Sequence, residues 1–501
     1  MSEIFANAPF RQIENTDLAP VAVVAQCLDN QWVPRDLLAD MVTHGLSLTD
    51  PQVNRRRLEL SRHEYLRSIL NAQQVIINRA FFFNNPTVYR DFLKEGAPRS
   101  AFLDLLSKGV LVPFLLQETS LVQPQRFTVQ DEGWRAWTRV AAECSSSCLR
   151  LSWDDDENTD YYHQYMVRPF RRFLLSMADF DPDGLQRDFG LTSPEVARQM
   201  MRRLREVARW AIDSETVNRE EFYKRFVVAE GTNPADGYYD RGKPFASELK
   251  QLVDLRYNST LSDAVDRYSL TPADSLHRAA LQEERQLTKA KGVEADVLLD
   301  VLLRRRAFDL VQSALDIGLT GLDLHHVWAA RGTEEWQQYT TSLKGLLENP
   351  VDFSDRGQEV YSRYVDLARR LGIIVGDRRS GAVDRWEPII QLTVETLGSV
   401  ITIAFGPQPH VEVIGKVATG IAVRASTAVV RFAVVGRDHR RANAELGTSM
   451  DLMRVRLSRT GEEWEYLKRK LAEAGLPVYD MNRSPEADAN FDVPEKVDED
   501  D

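Results

Sequence analysis

Residues 75–116 read VIINRAFFFNNPTVYRDFLKEGAPRSAFLDLLSKGVLVPFLL, and the fold turns on how this stretch divides. Two apolar runs bound it: Val75-Ile76-Ile77 leading into Ala80-Phe81-Phe82-Phe83, and 110–116. Both are of strand length and rich in β-branched and aromatic residues. Turn residues (Asn84-Asn85-Pro86 and Lys108-Gly109) delimit them, so both read as buried strands. Between them, 89–107 has helical spacing. The pattern predicts a β-α-α-β unit with a small parallel sheet. Just upstream, 53–71 predicts a helix, with Leu58, Leu60, Tyr65, Leu66 and Leu70 apolar and Arg55-Arg56-Arg57 at its start.

Downstream, from 128 to about 374, the pattern turns helical. Ser193-Pro194-Glu195 is a start signal, with serine at the cap and proline at the first helical position. Asn218 with Glu221 three residues on resembles a capping box. Thr271-Pro272 signals a further helix. Ranges 294–315, 336–347 and 360–374 add three more, with the first showing an apolar face at Val297, Leu298, Val301 and Leu302. The chain therefore reads as mainly α. We divide it into a mixed α/β portion (1–120), a helical domain (121–380), an apolar hairpin (381–440), C-terminal helices (441–482) and a disordered acidic tail (483–501).

The hairpin is the most apolar part of the chain. Residues 386–405 hold Ile389, Ile390, Leu392, Val394, Leu397, Val400, Ile401 and Ile403, and Gly406-Pro407-Gln408-Pro409 forces a turn. In the second arm Lys416, Gly420, Arg424, Thr427 and Arg431 recur at helical spacing as one polar line. A helix apolar on all other sides is buried in a core, held in an interface or in contact with lipid. Range 413–435 would span roughly 35 Å, enough to cross a bilayer. Arg424 stands against constitutive spanning, since a charge near the bilayer centre costs about 2.5–3.5 kcal/mol. A central hairpin of the core is the favoured reading, with conditional insertion and an oligomer interface behind it.

The balance of 501 residues is 43% hydrophobic and 28% charged, which excludes disordered, collagen-like and polytopic membrane classes. The start of the chain lacks a leader pattern, so a cytoplasmic protein is expected. Net charge is −12, of which 484–501 carries −7. Such a block repels itself and stays solvated. The overall acidity disfavours nucleic acid as partner. There are 51 arginines against 12 lysines; guanidinium forks suit phosphate or carboxylate, but GC-rich coding, as in a high-GC bacterium or its phage, explains the bias more simply. Three cysteines are too few for a disulfide scaffold. Cys144 and Cys148 read as a reduced, partly buried pair.

Several motifs lose to plainer explanations. Asp179, Asp181, Asp183 and Gly184 match the first half of a calcium loop, but Gly190 and Arg187 occupy positions that need ligands, so turn formation is favoured. The acidic run 153–160, including Asp154 and Asp156, follows a strand-like Leu149-Arg150-Leu151 but reads as a solvated loop. Asp240 (or Asp236), Glu248 and Lys250 resemble the acid…E-x-K set of metal-dependent nucleases, yet those residues belong on strands and 245–257 reads as a helix. The eight histidines show no ligand spacing; His325 and His326 would diverge by about 100° on a helix, and none is assigned as a ligand. Asn78, Asn84 and Asn85 read as turn formers or ligand-facing groups. Phosphate-loop, dinucleotide and nucleophile-elbow patterns are missing, so no cofactor is expected; a divalent cation enters only through the acidic clusters.

Arg198, Arg202, Arg205 and Arg209 form one stripe on the helix after Ser193, suited to an acidic partner or to internal pairing with Glu195 and Glu206. Docking of the acidic tail there would be autoinhibitory. The leading functional expectation is a non-catalytic interaction or effector protein. It would act through a protein partner or self-association, with the stripe and Lys416, Arg424 and Arg431 as contact residues and the hairpin conditionally membrane-active. The alternative is a metal-dependent hydrolase or nuclease.

Overall fold

The computed structural model describes residues 10–30, 32–114, 131–144, 148–151, 166–179, 193–214, 217–272, 322–349 and 353–375, and positions 191, 304–305, 307–308, 311–312 and 315. It is mostly helical around a small parallel sheet. Four strands, β2 (Ala22–Ala25), β3 (Gln74–Asn78), β4 (Leu111–Phe114) and β6 (Tyr268–Leu270), pair in the order β4-β3-β2-β6. Val23 lies between Val75 and Tyr268, and Val75 faces Leu111. A second parallel pair joins β1 (Arg11–Ile13) to β5 (Leu149–Leu151), so the strand read at 149–151 is present.

Both faces of the sheet are covered, which is why its strands are continuously apolar instead of alternating. Val23, Ala25, Val75, Ile77 and Leu111 belong to one core, while Ala22, Val24, Ile76, Val112 and Phe114 belong to another. This period-2 division places the two cores on opposite faces. The first face is covered by α2 (Pro51–Asn71), α3 (Arg79–Asn84), α4 (Pro86–Leu93), α5 (Ala97–Ser107) and α6 (Asp131–Glu143). The C-terminal helices α11 (Leu324–Arg331), α12 (Glu334–Glu348) and α13 (Phe353–Ile374) join that layer. The second face is covered by α1 (Arg35–His44), α7 (Arg168–Ser176), α8 (Pro194–Asp213), α9 (Arg219–Phe226) and α10 (Ala246–Ala264).

The deciding stretch departs from its sequence reading at one point. The strand stops at Asn78, whose side chain accepts a bond from the Ala80 amide at 3.0 Å and so caps α3. Phe81, Phe82 and Phe83 are therefore helical, not a strand. All three are buried because α3 is enclosed by neighbours, with Phe82 stacked 5.1 Å from Trp137 and Phe83 edge-on to Trp134 at 5.0 Å. Asn85 repeats the device for α4, accepting from the Thr87 amide at 3.0 Å with Pro86 in the first turn. Asn78 and Asn85 act as caps rather than ligand-facing groups. The helical range 89–107 is broken by Gly96, whose φ of 147° suits glycine. The start signals at Ser193 and Asn218 form caps, accepting from Val196 and Glu221 amides.

The C-terminal layer holds α2 through that helix's last carbonyls, which lack intrahelical donors. Arg331 donates to the oxygens of Ile69, Ala72 and Gln73, Trp336 Nε1 to Leu70 O, and the Tyr339 hydroxyl to Asn71 O. Three side chains from α11 and α12 thus complete one helix end.

Candidate functional site

The chain lays β2, β3 and β4 in one direction and places β6 on the other side of β2. In open parallel sheets, ligand sites form where the strand order reverses, outside the carboxyl ends. Here that point lies between β2 and β6, where Gln26-Cys27-Leu28-Asp29 leaves one strand and Thr271 the other. Two buried charged clusters flank it.

The first belongs to α2. Arg67 Nη1 donates to Glu64 Oε2 at 2.9 Å and to Thr271 O at 3.1 Å. Its other nitrogens reach Gln312 O at 2.9 Å and Leu315 O at 3.3 Å. Cys27 Sγ donates to the same Glu64 oxygen at 3.8 Å. The second cluster belongs to α9 and α10. Asp254 accepts from the Lys250 ammonium on one oxygen and from the Tyr223 hydroxyl on the other. The ammonium also lies 4.8 Å from the Tyr223 ring centre. Arg219 pairs with Asp29 at 2.6 Å and covers the Tyr257 ring. Burial lowers the Lys250 pKa, with Asp254 opposing, and burial followed by the Asp254 charge raises Tyr223. Burial likewise raises Tyr239.

The side chains of Lys250 and Asp254 are 3% and 7% exposed, and those of Arg67 and Glu64 are 1% and 5%. A general acid or base must come within hydrogen-bond reach of a substrate proton. These groups instead face one another, so the clusters hold the sheet edge together. A separate cleft of about 420 Å³ opens at the amino ends of β2 and β6, lined by Arg267, Tyr268, Arg304, Arg305, Lys344 and Glu348 among others. Its charges are engaged too: Arg305 with Asp263, Lys344 with Glu348 at 3.5 Å, and Arg267 with Asn15 O and Leu18 O.

The members of the acid…E-x-K set each engage another group. The helix read over 245–257 is present and runs on to Ala264, which gives Lys250 to Asp254 one turn on. Glu248 accepts from Ser247 Oγ, and Asp240 accepts from the Gly242 amide. Asp179 ends a short 3-10 turn, whereas Asp181, Asp183, Asp154 and Asp156 lie outside the described residues, as do Lys416, Arg424, Arg431 and the acidic tail. Cys144 and Cys148 are free thiols in mutual hydrogen-bond contact, and that contact leads the causes raising the Cys144 pKa. No described helix is long and apolar enough to cross a membrane.

Two readings change. The arginine stripe stands on α8 as predicted, with Met200, Leu204, Val207 and Ala211 buried beneath it. Arg198, Arg202, Arg205 and Arg209 are exposed; Glu195 engages Arg198 at 3.1 Å and Arg202 at 3.6 Å. Glu206 pairs with Arg203 off the stripe. The adjacent histidines do not diverge. Their ring centres are 4.0 Å apart in the first turn of α11, and Asp323 lies beside them.

Arg67, Asp29, Arg219, Tyr223 and Asp254 were not singled out by sequence. The Lys250–Asp254 spacing of four on a predicted helix was the one signal available. Comparison of the chain with known protein families, curated proteins and solved structures finds no match.

Proposed function

We propose that this chain is a non-catalytic interaction protein that docks an acidic protein segment on the arginine face of α8. One observation carries the reading: four guanidinium groups at Arg198, Arg202, Arg205 and Arg209 stand exposed on one helix, and among the described residues their ion-pair partner is one acid, Glu195. Guanidinium forks match carboxylates in charge and geometry. The buried ionisable groups at the sheet edge pair with one another, which supports a scaffold more than a hydrolase built on Asp240, Glu248 and Lys250.

The test uses a labelled peptide with the sequence of 484–501, whose net charge is −7. The full chain and a chain shortened before 484 are titrated with it at low salt. Saturable binding that weakens with salt is expected, tighter in the shortened chain if its own tail competes. Arg205→Glu with Arg209→Glu abolishes binding without changing the melting temperature. Binding unaffected by that double variant, or no binding at low salt, overturns the reading.

The apolar range 386–436 supports a second contact of the same effector class, with lipid as the occupant. Liposome flotation and dye release by the full chain, lost in Arg424→Glu, is the expected result. A full chain that stays with the aqueous fraction removes this second contact.

A further inference from the structure

We propose that Asp323, His325 and His326 form a binding site for one first-row divalent transition metal ion, with zinc the best match. Each side chain offers one ligand atom, and the three atoms lie within 4.8 Å of one another. All three residues are half-buried, on the first turn of α11 and its cap. Two imidazoles and a carboxylate suit zinc, nickel or copper and suit calcium or magnesium poorly. Three protein ligands would leave a fourth position for water.

Helix capping accounts for part of the cluster. Asp323 caps α11, and His326 Nδ1 accepts from the Asp323 amide at 3.2 Å. Capping gives no role to His325. Its ring lies against that of His326, and its Nδ1 is buried with no hydrogen-bond partner among the described residues. A buried imidazole nitrogen without a partner is disfavoured, and a metal ion bound there would satisfy it.

Three effects oppose binding, and each is small. The helix N-terminus disfavours a cation, but the Asp323 carboxylate offsets it within the same turn. Arg90 lies 3.8 Å from Asp323 with half its side chain exposed, so it can move into solvent. Ligand atoms around tetrahedral zinc sit roughly 3.3 Å apart, given bonds of about 2.0–2.1 Å, so closing the site needs ordinary side-chain rotation. Ligation through His326 Nδ1 would exchange the hydrogen bond it accepts from the Asp323 amide for a metal bond, a favourable exchange.

The ion would fix the start of α11, the helix whose Arg331 completes the end of α2. The test uses the full chain, stripped with a chelator and titrated with cobalt(II), then with zinc as competitor. One equivalent with visible d–d absorption, displaced by zinc, is expected, together with a higher melting temperature. His325→Ala and His326→Ala each weaken binding at least tenfold, the lower bound set by loss of mere supporting groups around a metal. Asp323→Asn keeps the cap and loses the charge, so it weakens binding while the helix stays intact. His44→Ala, on α1, leaves binding unchanged. Absence of stoichiometric binding, or binding that survives both α11 histidine variants, overturns the proposal.

Discussion

Lys250→Met separates a buried joint from a working site. Lys250 and Asp254 are nearly inaccessible, and the Tyr223 hydroxyl completes the carboxylate's partners. Removing one member of such a pair costs about 3–5 kcal/mol. An upper bound follows from protonation: a stranded carboxylate can take up a proton, which from an ordinary value near 3.9 costs about 4 kcal/mol at pH 7 and about 1.5 kcal/mol at pH 5. The Lys250→Met penalty should therefore be about 3–4 kcal/mol at pH 7 and fall by about half or more at pH 5. The sign is fixed, because a carboxyl that holds its proton in the folded state contributes stability at low pH and loses it as pH rises. Asp254→Leu strands an ammonium instead, whose escape at pH 7 costs about 5 kcal/mol from an ordinary value near 10.4. The double variant leaves the Tyr223 hydroxyl unpartnered, about 1–3 kcal/mol, against a sum of about 8–9 kcal/mol for the two singles, so the coupling between the two sites is about 6 kcal/mol. Urea unfolding followed by tryptophan fluorescence measures all four corners of the cycle. A single-variant penalty below about 1 kcal/mol, or a double variant equal to the sum of the singles, would show that water reaches the pair and would refute the argument that it is a structural joint.

Three further outcomes follow from the same packing. Gly133→Ala should destabilise by about 1–3 kcal/mol despite the better helix propensity of alanine, because its Cβ would sit 2.0 Å from Phe83 O and 2.6 Å from Tyr89 Cδ1; an unchanged urea midpoint contradicts the close α3–α6 approach. Arg331→Lys should cost about 2–3 kcal/mol, since one ammonium cannot reach Ile69 O, Ala72 O and Gln73 O as the guanidinium fork does; thermal unfolding within a degree of the parent would count against this. Burial raises the phenols of Tyr65, Tyr223, Tyr239 and Tyr339 above 10. Above pH 10 the unfolded chain releases those protons while the folded chain retains them, so this stability is complete below pH 10 and lost as pH climbs through the folded values. Phenolate absorbance should show the four appearing together with alkaline unfolding, whereas all fifteen tyrosines titrating smoothly near 10 would exclude such burial.

Local pattern revealed what local forces determine. The 51–71 helix, the two strands of the β-α-α-β unit and the caps at Ser193 and Asn218 were all legible, because each rests on side chains within a few residues. Phe81-Phe82-Phe83 misled because three aromatics favour strands by propensity, while the Asn78 cap and the surrounding helices decide for α3. β6 was not legible: three residues, Tyr268-Ser269-Leu270, pair with a strand more than 240 positions earlier, and no local periodicity carries that information. The site followed the same rule. The spacing of Lys250 and Asp254 was visible in the sequence, but their burial, and the convergence of Asp29, Arg219 and Tyr223, depend on which helices share a face.

The excess of arginine over lysine has a structural use beyond coding bias. A parallel sheet layered with helices leaves carbonyls at helix ends and strand exits that backbone donors cannot reach. In the described core those oxygens are met by guanidinium groups. Arg67 serves Thr271 O, Gln312 O and Leu315 O; Arg99 serves Phe92 O; Arg267 serves Asn15 O and Leu18 O; Arg356 serves Gly345 O. Arg67 joins segments distant in sequence, across 245 and 248 positions, and Arg267 does so across 252 and 249, whereas Arg99 and Arg356 reach back only 7 and 11. Burial lowers even the Arg331 guanidinium, to about 9, with Tyr339 opposing, yet it remains charged at neutral pH and keeps all its donors. Lysine in such places would lose both its charge and the planar geometry. The exposed arginines of α8 contrast with these because they donate to no carbonyl among the described residues, which is why that face, and not the buried forks, is the one proposed to dock an acidic partner.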